Sequence, residues 1–436
     1  MLDFWEKDIE TILQKDLQRL QMQKLQKTLQ TASQSYYYKK VFNENHFGFS
    51  TVTSLDDIRK IPFTTKENLQ KYFPYGFLSA EKKDVVRLHS SSCTTGDHLT
   101  VVFYTRNDLD SWSNLVARSL YTVGVRNTDV FQNSCGYGLF AGGIGIQTGA
   151  EKIGALVVPS GTVNTKRQIQ LMIDFGATVL HTLPGYVTRL IDVFNEMNLN
   201  PKTDIELRIM IIGAELHSEE KRQMIQEKMG VKAFNSYGVT ELNGPGIAIE
   251  CEFQNGMHVW EDSFLFEIID PKTLLPVENN SYGELVVTTL DRRAMPLLRF
   301  RTGDITRVVS GTCDCGRTHR RIDRIKGRTD NVFFIKGCKI SPEQIEKVLS
   351  RVPEVGNNFI IVLDSINGKE EMIIEVEVNN RVFFDHYSKL EKLTKYIIEG
   401  VKSEVMITPK VKLMESNSLT RCDQVSGRVR DLRKEG

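Results

Sequence analysis

Short apolar runs and longer amphipathic stretches alternate along most of this chain, and this pattern predicts a mixed α/β protein. From about residue 83, apolar runs at 178–180, 208–213 and 231–234 end in turn residues, and a helix-like stretch occupies 218–229. Strands that alternate with helices are typical of a parallel sheet with helices on its faces. We therefore expect a parallel α/β core.

The first 45 residues predict helix, because Leu13, Leu17 and Leu20 fall on one helical face among Gln and Lys. Further helix starts are predicted near Ser54 and Thr65, where a hydroxyl side chain precedes an acidic first turn. We expect these helices to precede the α/β core.

Two further regions differ from this core. Residues 258–310 contain β-rich runs at 265–269 and 284–289, separated by Pro, Asn and Gly turns, which predicts a small antiparallel unit. Beyond Asp330 the pattern resembles a βαββ arrangement, with a strand at 332–335, a helix at 342–349, strands at 359–363 and 371–378, then a helix and a short strand near 411–414. The predicted fold class is α/β, with a large N-terminal domain over 1–329 and a small α+β C-terminal domain over 330–436. The large domain would carry parallel sheets and a small β-rich subdomain.

Composition and charge exclude several classes of protein. The chain has 436 residues, of which 40% are hydrophobic and 25% charged, and its net charge is +1. Disorder and strong attraction to nucleic acid or membranes are therefore not expected. No apolar run approaches the ~20 residues that span a bilayer, and the N-terminus lacks the basic and apolar regions of a signal peptide. Seven cysteines, an odd number, do not make a disulfide framework. We expect a cytoplasmic protein.

The most informative motif is a run of small hydroxyl residues closed by a glycine. Backbone N–H groups and short hydroxyls in such a loop can wrap a phosphate, although the spacing is not that of a Walker A loop. An ordinary solvated loop is the alternative. The run and the segments that follow it in order are Ser90-Ser91-Ser92-Cys93-Thr94-Thr95-Gly96-Asp97, Gly213-Ala214-Glu215, Asn235-Ser236-Tyr237-Gly238-Val239-Thr240-Glu241, Arg301-Thr302-Gly303-Asp304 and Gly327-Arg328-Thr329-Asp330.

In this order the segments resemble those of the adenylate-forming enzymes, and the chain is most similar to the phenylacetate–CoA ligases. The family-specific segments are Pro62-Phe63-Thr64-Thr65-Lys66, Gly136-Tyr137-Gly138-Leu139-Phe140, Asp174-Phe175-Gly176-Ala177-Thr178, Asn243-Gly244-Pro245-Gly246, Ile335-Lys336-Gly337 and Pro342-Glu343-Gln344-Ile345-Glu346. The resemblance covers nearly the whole chain. It implies a large adenylate-forming domain with a mobile C-terminal domain hinged near Asp330. It also implies an ATP-dependent ligase that activates a phenylacetate-like carboxylate as acyl-AMP and transfers the acyl group to CoA.

The resemblance further implies roles for single residues. Asp304 would hold the ribose, as carboxylates do in dinucleotide sites, and Tyr237 would stack on adenine. Thr240 and Glu241 would be catalytic. The Thr240 hydroxyl would contact the α-phosphate, and the Glu241 carboxylate would be a hard oxygen ligand for Mg²⁺. The other nucleotide-binding candidates are Ser91, Ser92, Thr94, Thr95, Gly96, Gly213, Ala214, Glu215, Asn235, Ser236, Gly238 and Arg301. A capped strand-end turn at 237–241 and a surface salt bridge at Arg301 are the alternatives.

The resemblance places the acyl pocket at Tyr137, Phe140, Gly142 and Gly143. Aromatic walls with glycines between them leave room for a flat ring. The alternative is the ordinary packing of a glycine-rich helix start.

The cysteines indicate a metal site. Cys251, His258, Cys313 and Cys315 supply three thiols and one imidazole, which make a closed tetrahedral zinc set. The C-x-C spacing is shorter than usual, but some relatives of the phenylacetate–CoA ligases show a similar pattern. Such a zinc would be structural, because no position is left open for catalysis. The alternative is two unrelated pairs of reduced cysteines.

The chain departs from the family pattern in three places. Cys93 and Asp97 stand where Gly and Lys are usual, and Gln424-Val425 stands where a Gly-Lys pair is usual. Asp97 would repel a polyphosphate. Loss of the lysine that is usual at the position of Val425 would cost about 3 kcal/mol of transition-state stabilisation, or about 10²-fold in rate. Arg428 is a nearby alternative cation.

Two functions therefore stay open. One is a working ligase, with a small-molecule carboxylate and CoA as partners and ATP, Mg²⁺ and structural zinc as cofactors. The other is a catalytically impaired homologue that binds nucleotide or acyl-adenylate as a regulatory module. The sequence also leaves open a homodimer, the identity of the acid, and a carrier protein in place of CoA.

Overall fold

The computed structural model describes residues 3–91, 100–278, 280–329, 332–366, 369–378, 387–415, 418–419 and 428–434. These residues divide into two compact units, a larger one that ends at Thr329 and a smaller one that takes in the described residues from 332 onward. Asp330 lies outside the described residues, so the predicted hinge stays a prediction.

The larger unit is built around a sheet of parallel and antiparallel strands. The strands of the larger unit, including those of its smaller sheets, are β1 (Val85–Ser91), β2 (Thr100–Thr105), β3 (Val130–Asn133), β4 (Leu156–Val158), β5 (Val179–Thr182), β6 (Ile209–Gly213), β7 (Lys232–Val239), β8 (Gly244–Glu250), β9 (Met257–Val259), β10 (Phe264–Ile269), β11 (Gly283–Thr289), β12 (Phe300–Thr306), β13 (Val308–Val309), β14 (Arg321–Ile322) and β15 (Gly327–Arg328). The main sheet has the order β13-β14-β9-β8-β7-β6-β5-β3-β4.

The predicted parallel α/β core is confirmed in this sheet. Strands β4, β3, β5, β6 and β7 run parallel, and β6 is buried at every position, as a strand covered on both faces requires. The carboxyl ends of parallel strands meet at one edge of a sheet, where ligands bind in open α/β proteins. This edge carries Asn133, Thr182, Gly213 and the end of β7.

Helices cover the larger unit. They are α1 (Lys7–Glu10), α2 (Gln14–Ala32), α3 (Tyr36–Glu44), α4 (Lys66–Lys71), α5 (Arg106–Thr122), α6 (Ala141–Ile153), α7 (Thr165–Phe175), α8 (Pro184–Glu196) and α9 (Glu219–Met229). The predicted starts near Thr65 and Ser218 are confirmed, since both side chains accept a hydrogen bond from a backbone N–H of the first turn. In α2 the buried stripe begins at Leu17, because Leu13 precedes the helix and is 70% exposed.

The predicted antiparallel unit is confirmed in part. Strands β10, β11, β12 and β15 form an antiparallel sheet in that order. Strands β9, β13 and β14, which flank this region, pair with the main sheet instead. The sequence pattern did not indicate this, because short β-rich runs carry no information on which sheet they join.

The smaller unit is an α+β sandwich with its own core. Its strands are β16 (Phe333–Ile335), β17 (Cys338–Ile340), β18 (Val355–Ile366), β19 (Lys369–Val378), β20 (Lys410–Met414) and β21 (Val429–Asp431), and its helices are α10 (Pro342–Leu349) and α11 (Tyr387–Val405). The sheet order is β20-β19-β18-β21. Ile345 of α10 and Ile397 of α11 are buried in one cluster with Ile361 and Ile374. The predicted strands and helix are thus present, with β18 longer than expected.

Within the described parts of the chain, no helix combines the length and the apolar character needed to cross a membrane.

Candidate functional site

Tyr237 and Asp304 meet where β7 approaches β12. The Tyr237 hydroxyl donates to Asp304 Oδ2 at 2.7 Å, and the Arg328 guanidinium pairs with the other carboxylate oxygen. Both Tyr237 and Asp304 are buried. Burial and the adjacent Asp304 charge raise the pKa of Tyr237 well above its usual value, so the phenol stays a donor. Asp304 is therefore held as a fixed carboxylate beside an aromatic ring.

Glu241 lies on the short 3-10 helix that follows β7 and is 5% exposed. Ser91, the last residue of β1, donates its hydroxyl to Glu241 Oε1 at 2.8 Å. Lys66, the first residue of α4, places its Nζ 3.9 Å from the same oxygen, and its side chain is 12% exposed. A carboxylate, a hydroxyl and a cation thus converge from three separate parts of the chain. Thr240, directly before Glu241, is half-buried.

The segment after β6 forms a tight turn at the same edge. Gly213 pairs with Ser236, and a Cβ on this glycine would lie 2.3 Å from the Ser236 carbonyl oxygen, so only glycine fits. Ala214 adopts a left-handed φ of 64° and is exposed. Glu215 Oε2 accepts a hydrogen bond from the Gly185 backbone N–H at 3.0 Å, in the first turn of α8.

The remaining nucleotide-binding candidates occupy different settings. Asn235 is buried, and its backbone N–H donates to Glu250 Oε2 at 2.8 Å. Ser236 is half-buried, and Gly238 pairs with Pro245 in the β7–β8 ladder. Arg301 forms an ion pair with Glu284, at 2.6 Å between Nη2 and Oε2. The structure therefore brings Tyr237, Glu241 and Asp304 to one edge but commits the Arg301 guanidinium to Glu284.

The predicted acyl segment leads from β3 into α6. Tyr137 and Phe140 are exposed, at 38% and 40%. The Asn133 side-chain amide donates to the Tyr137 hydroxyl at 2.9 Å and to the Gly143 carbonyl at 2.7 Å. Gly143 is buried against the Gly136 backbone, while Gly142 is half-buried at the helix start. Asn133 therefore ties the two ends of this segment together.

This segment also touches the start of the hydroxyl-rich loop. The Ser90 backbone N–H donates to the Leu139 carbonyl at 2.8 Å, and His89 Nδ1 lies 3.1 Å from the same oxygen. The first described residue of the hydroxyl-rich run, Ser90, thus lies beside the candidate acyl segment.

Cys251, His258, Cys313 and Cys315 form a buried cluster whose ligand atoms all lie within 4.8 Å of one another. Cys251 Sγ is 3.5 Å from Cys313 Sγ, and Cys315 Sγ is 3.3 Å from His258 Nε2. His258 Nδ1 contacts the His319 carbonyl at 3.1 Å, which leaves Nε2 towards the thiols, as in metal-bound histidines. The donor set and its closeness fit a tetrahedral zinc.

Hydrogen bonding within the cluster favours the thiolate form of Cys315, whereas the hydrogen bond with Cys315 and burial raise the pKa of Cys251. The hydrogen bonds from Cys251 and His258 lower the pKa of Cys315 to about 2. Burial opposes the charge on His258, but its hydrogen bonds to Cys313 and Cys315 leave its pKa raised. Thiolates are the form that binds zinc.

Several predicted residues lie outside the described residues, and their predictions stay open. They are Ser92, Cys93, Thr94, Thr95, Gly96, Asp97, Asp330, Gln424 and Val425. Arg428, the alternative cation, is described. It pairs with Glu346 at 2.7 Å, within the smaller unit.

Lys66, Arg328 and Asn133 are contact residues of this site that the sequence patterns did not predict. Lys66 and Arg328 lie inside motifs that carry the family resemblance, so those motifs could have indicated them. Asn133 ends a strand and had no signal, because its contacts depend on how β3 and α6 pack.

Comparisons with known proteins identify relatives of this chain. Residues 337–433 match the family model of the AMP-binding enzyme C-terminal domain. The phenylacetate-coenzyme A ligase of Thermus thermophilus is 37% identical, with 99% of this chain and 100% of the relative covered. The corresponding ligase of Escherichia coli is 35% identical, with 98% and 97% covered.

Solved structures show the same fold. The 2-hydroxyisobutyryl-CoA ligase, in complex with 2-HIB-AMP and CoA, has a TM-score of 0.93 at 26% identity, covering 99% of this chain and 93% of that one. The amide bond synthetase McbA of Marinactinospora thermotolerans, at 16% identity and a TM-score of 0.58, is similar in fold alone. Taken with the full-length relatives, these findings show that the chain belongs to the phenylacetate–CoA ligase family of the adenylate-forming enzymes.

Proposed function

We propose that this protein is an ATP-dependent acid–thiol ligase, which activates a phenylacetate-like carboxylate as acyl-AMP and transfers the acyl group to CoA. The observation that carries the proposal is the convergence of Ser91, Lys66 and Glu241 beside the Tyr237–Asp304 pair. The family's activity supports it, since the full-length relatives are phenylacetate–CoA ligases.

The nucleotide end of the site would use groups that are already fixed. Asp304, held by Tyr237 and Arg328, keeps carboxylate oxygens for the ribose hydroxyls. Tyr237, whose hydroxyl holds Asp304, would stack on adenine. Because both partners hold Asp304 before nucleotide arrives, little reorganisation is needed on binding.

The phosphate end would combine a carboxylate and a cation. Glu241 is the residue that would hold Mg²⁺, which neutralises phosphate charge when bound. Lys66, beside Glu241, supplies a second positive charge in a site largely removed from water. Preorganised charge of this kind stabilises the transition state more than it does in water. Lys66 would therefore offset part of the repulsion expected from Asp97.

We propose that zinc bound by Cys251, His258, Cys313 and Cys315 is structural. The cluster links the end of β8, strand β9 and the loop before β14. The same loop holds the N-terminal helix, because Arg317 Nε contacts buried Glu10 Oε2 at 2.6 Å. Four protein ligands leave no open coordination position for catalysis.

The remaining predictions are kept as part of this proposal. Asp330 would be the hinge by which the smaller domain serves the two half-reactions, and the protein would be cytoplasmic. The comparisons give no support to a catalytically impaired binding module, although Cys93, Asp97 and Val425 keep that alternative testable.

Exchange of labelled pyrophosphate into ATP tests the proposal, because it reports adenylation without CoA. We expect exchange that depends on an aryl carboxylate and Mg²⁺, and a fall of about 10²-fold in Glu241→Gln. Glu220→Gln, on the exposed face of α9, is the control. Absence of acid-dependent exchange in the wild-type protein would contradict the proposed adenylation.

A further inference from the structure

A histidine and a cysteine lie next to the proposed acyl segment, and the proposed chemistry does not use them. Cys135 follows β3, and His181 lies in β5, in register with Asn133. His181 Nδ1 is 2.9 Å from Asn133 Oδ1, and His181 Nε2 is 4.0 Å from Cys135 Sγ. Asn133 is the residue that also holds Tyr137 and Gly143.

The hydrogen bonds of Asn133 determine which imidazole nitrogen carries the proton. Its amide nitrogen donates to Tyr137 and Gly143, so its Oδ1 is the acceptor and His181 Nδ1 must donate. Burial lowers the pKa of His181 to about 4, so the ring is neutral at pH 7. A neutral ring protonated on Nδ1 presents Nε2 as an acceptor.

The acceptor Nε2 has only a weak partner among the described residues. A distance of 4.0 Å to sulfur is long, and a thiol is a weak donor. Burial and then the nearby Glu215 charge raise the pKa of Cys135 to about 12, which keeps the thiol protonated and argues against a nucleophilic cysteine.

We propose that His181, beside Cys135, forms the polar end of the acyl pocket and selects carboxylic acids that carry a hydrogen-bond donor, such as a hydroxyl or amino group, at the end remote from the carboxylate. An O–H donor from the substrate would approach Nε2 at roughly 2.8 Å, a better contact than the thiol offers. The inference rests on the proposed ligase function, because it assumes that the acyl group lies against the Tyr137 segment.

The test compares phenylacetate with its hydroxylated isomers as substrates, using kcat/KM for thioester formation. We expect at least one hydroxylated acid to be favoured over phenylacetate by about 10-fold, the scale of one hydrogen bond. In His181→Phe this ratio should fall by about the same factor. In His181→Gln, whose amide oxygen can still accept, part of the ratio should return, and Cys135→Ala, which removes only the competing thiol, should keep it. His46→Phe, at a remote exposed position, is the control.

A ratio that is unchanged in His181→Phe would overturn the inference. Calorimetric titration with two acyl-sulfamoyl-adenosine analogues, phenylacetyl and hydroxyphenylacetyl, distinguishes failure of the proposed selectivity from failure of the proposed ligase function. If both bind wild-type protein equally, the selection fails while the ligase proposal stands. If the hydroxylated analogue binds more tightly and loses its advantage in His181→Phe, the inference holds without any reliance on turnover. If neither binds, the ligase proposal fails and the inference fails with it.

Discussion

Replacing Lys66 by Met removes the cation that the structure places beside Glu241. Methionine keeps an unbranched apolar stem of similar length, so the helix α4 and its Thr65 cap should persist. At 3.9 Å, two unit charges attract each other by about 4 kcal/mol when the effective dielectric constant is about 20. A phosphate oxygen at a similar distance would feel an attraction of the same size, reduced by the desolvation of both groups. We therefore expect a loss of about 3 kcal/mol in transition-state stabilisation, which corresponds to about 10²-fold in the rate of adenylation.

The assay is acid-dependent pyrophosphate release under single-turnover conditions, with the Tm recorded for each variant. Lys71→Met is the matched control, because Lys71 ends the same helix and is exposed. We expect Lys66→Arg to keep more activity than Lys66→Met, since it keeps the charge but changes its geometry. If Lys66→Met released pyrophosphate within about three-fold of the wild-type rate while Lys71→Met behaved the same way, the role given to Lys66 would be wrong.

Three further predictions concern stability and binding. Metal analysis should find one zinc per chain, and chelation should lower the Tm. The zinc should be lost in Cys313→Ser but kept in the control Cys338→Ser. Protein purified without chelator and free of zinc would contradict this prediction. Tyr237→Phe, which removes one donor to buried Asp304, should cost about 2 kcal/mol of unfolding free energy and weaken AMP binding; an unchanged Tm and affinity would refute it. Burial lowers the pKa of His217 from 6.5 to about 4, so between these values the unfolded chain takes up a proton that the folded chain does not, and stability falls as the pH falls. Urea unfolding at pH 7 and pH 5 should show about 2 kcal/mol less loss in His217→Asn than in the wild type; equal losses would count against the buried neutral ring.

Much of the fold followed from local signals, and the differences have physical causes. Helix α10 begins where predicted because Ser341 forms a capping box and Pro342 occupies the first helical position. Strand β6 was predicted because a fully buried strand has a continuous apolar run. The pairing of β9 with β14 in the main sheet could not be predicted, since sheet membership depends on contacts distant in the chain.

In the candidate site, too, local motifs predicted some residues, while contacts between distant parts of the chain could not be predicted. Cys251, His258, Cys313 and Cys315 were predicted from ligand chemistry, and the structure brings their ligand atoms together. The contact of Ser91 with Glu241 joins residues 150 positions apart, so nothing in either motif indicates it. For Arg301, the spacing to Asp304 suggested a nucleotide role, but pairing between β11 and β12 places Glu284 beside its guanidinium. Local motifs thus indicate which residues matter, while the packing of strands decides what each side chain touches.

We expect this chain to join a carboxylic acid to CoA with the cleavage of ATP to AMP and pyrophosphate. The most direct test is to incubate the purified protein with ATP, Mg²⁺, CoA and a panel of aryl carboxylates. Acyl-CoA and AMP are then quantified by mass spectrometry. The account predicts that both products form in equal amounts with at least one acid, and that omission of CoA leaves acyl-AMP bound to the protein. Formation of neither acyl-CoA nor AMP with any acid, by protein that still binds nucleotide, would contradict the account and favour the binding module.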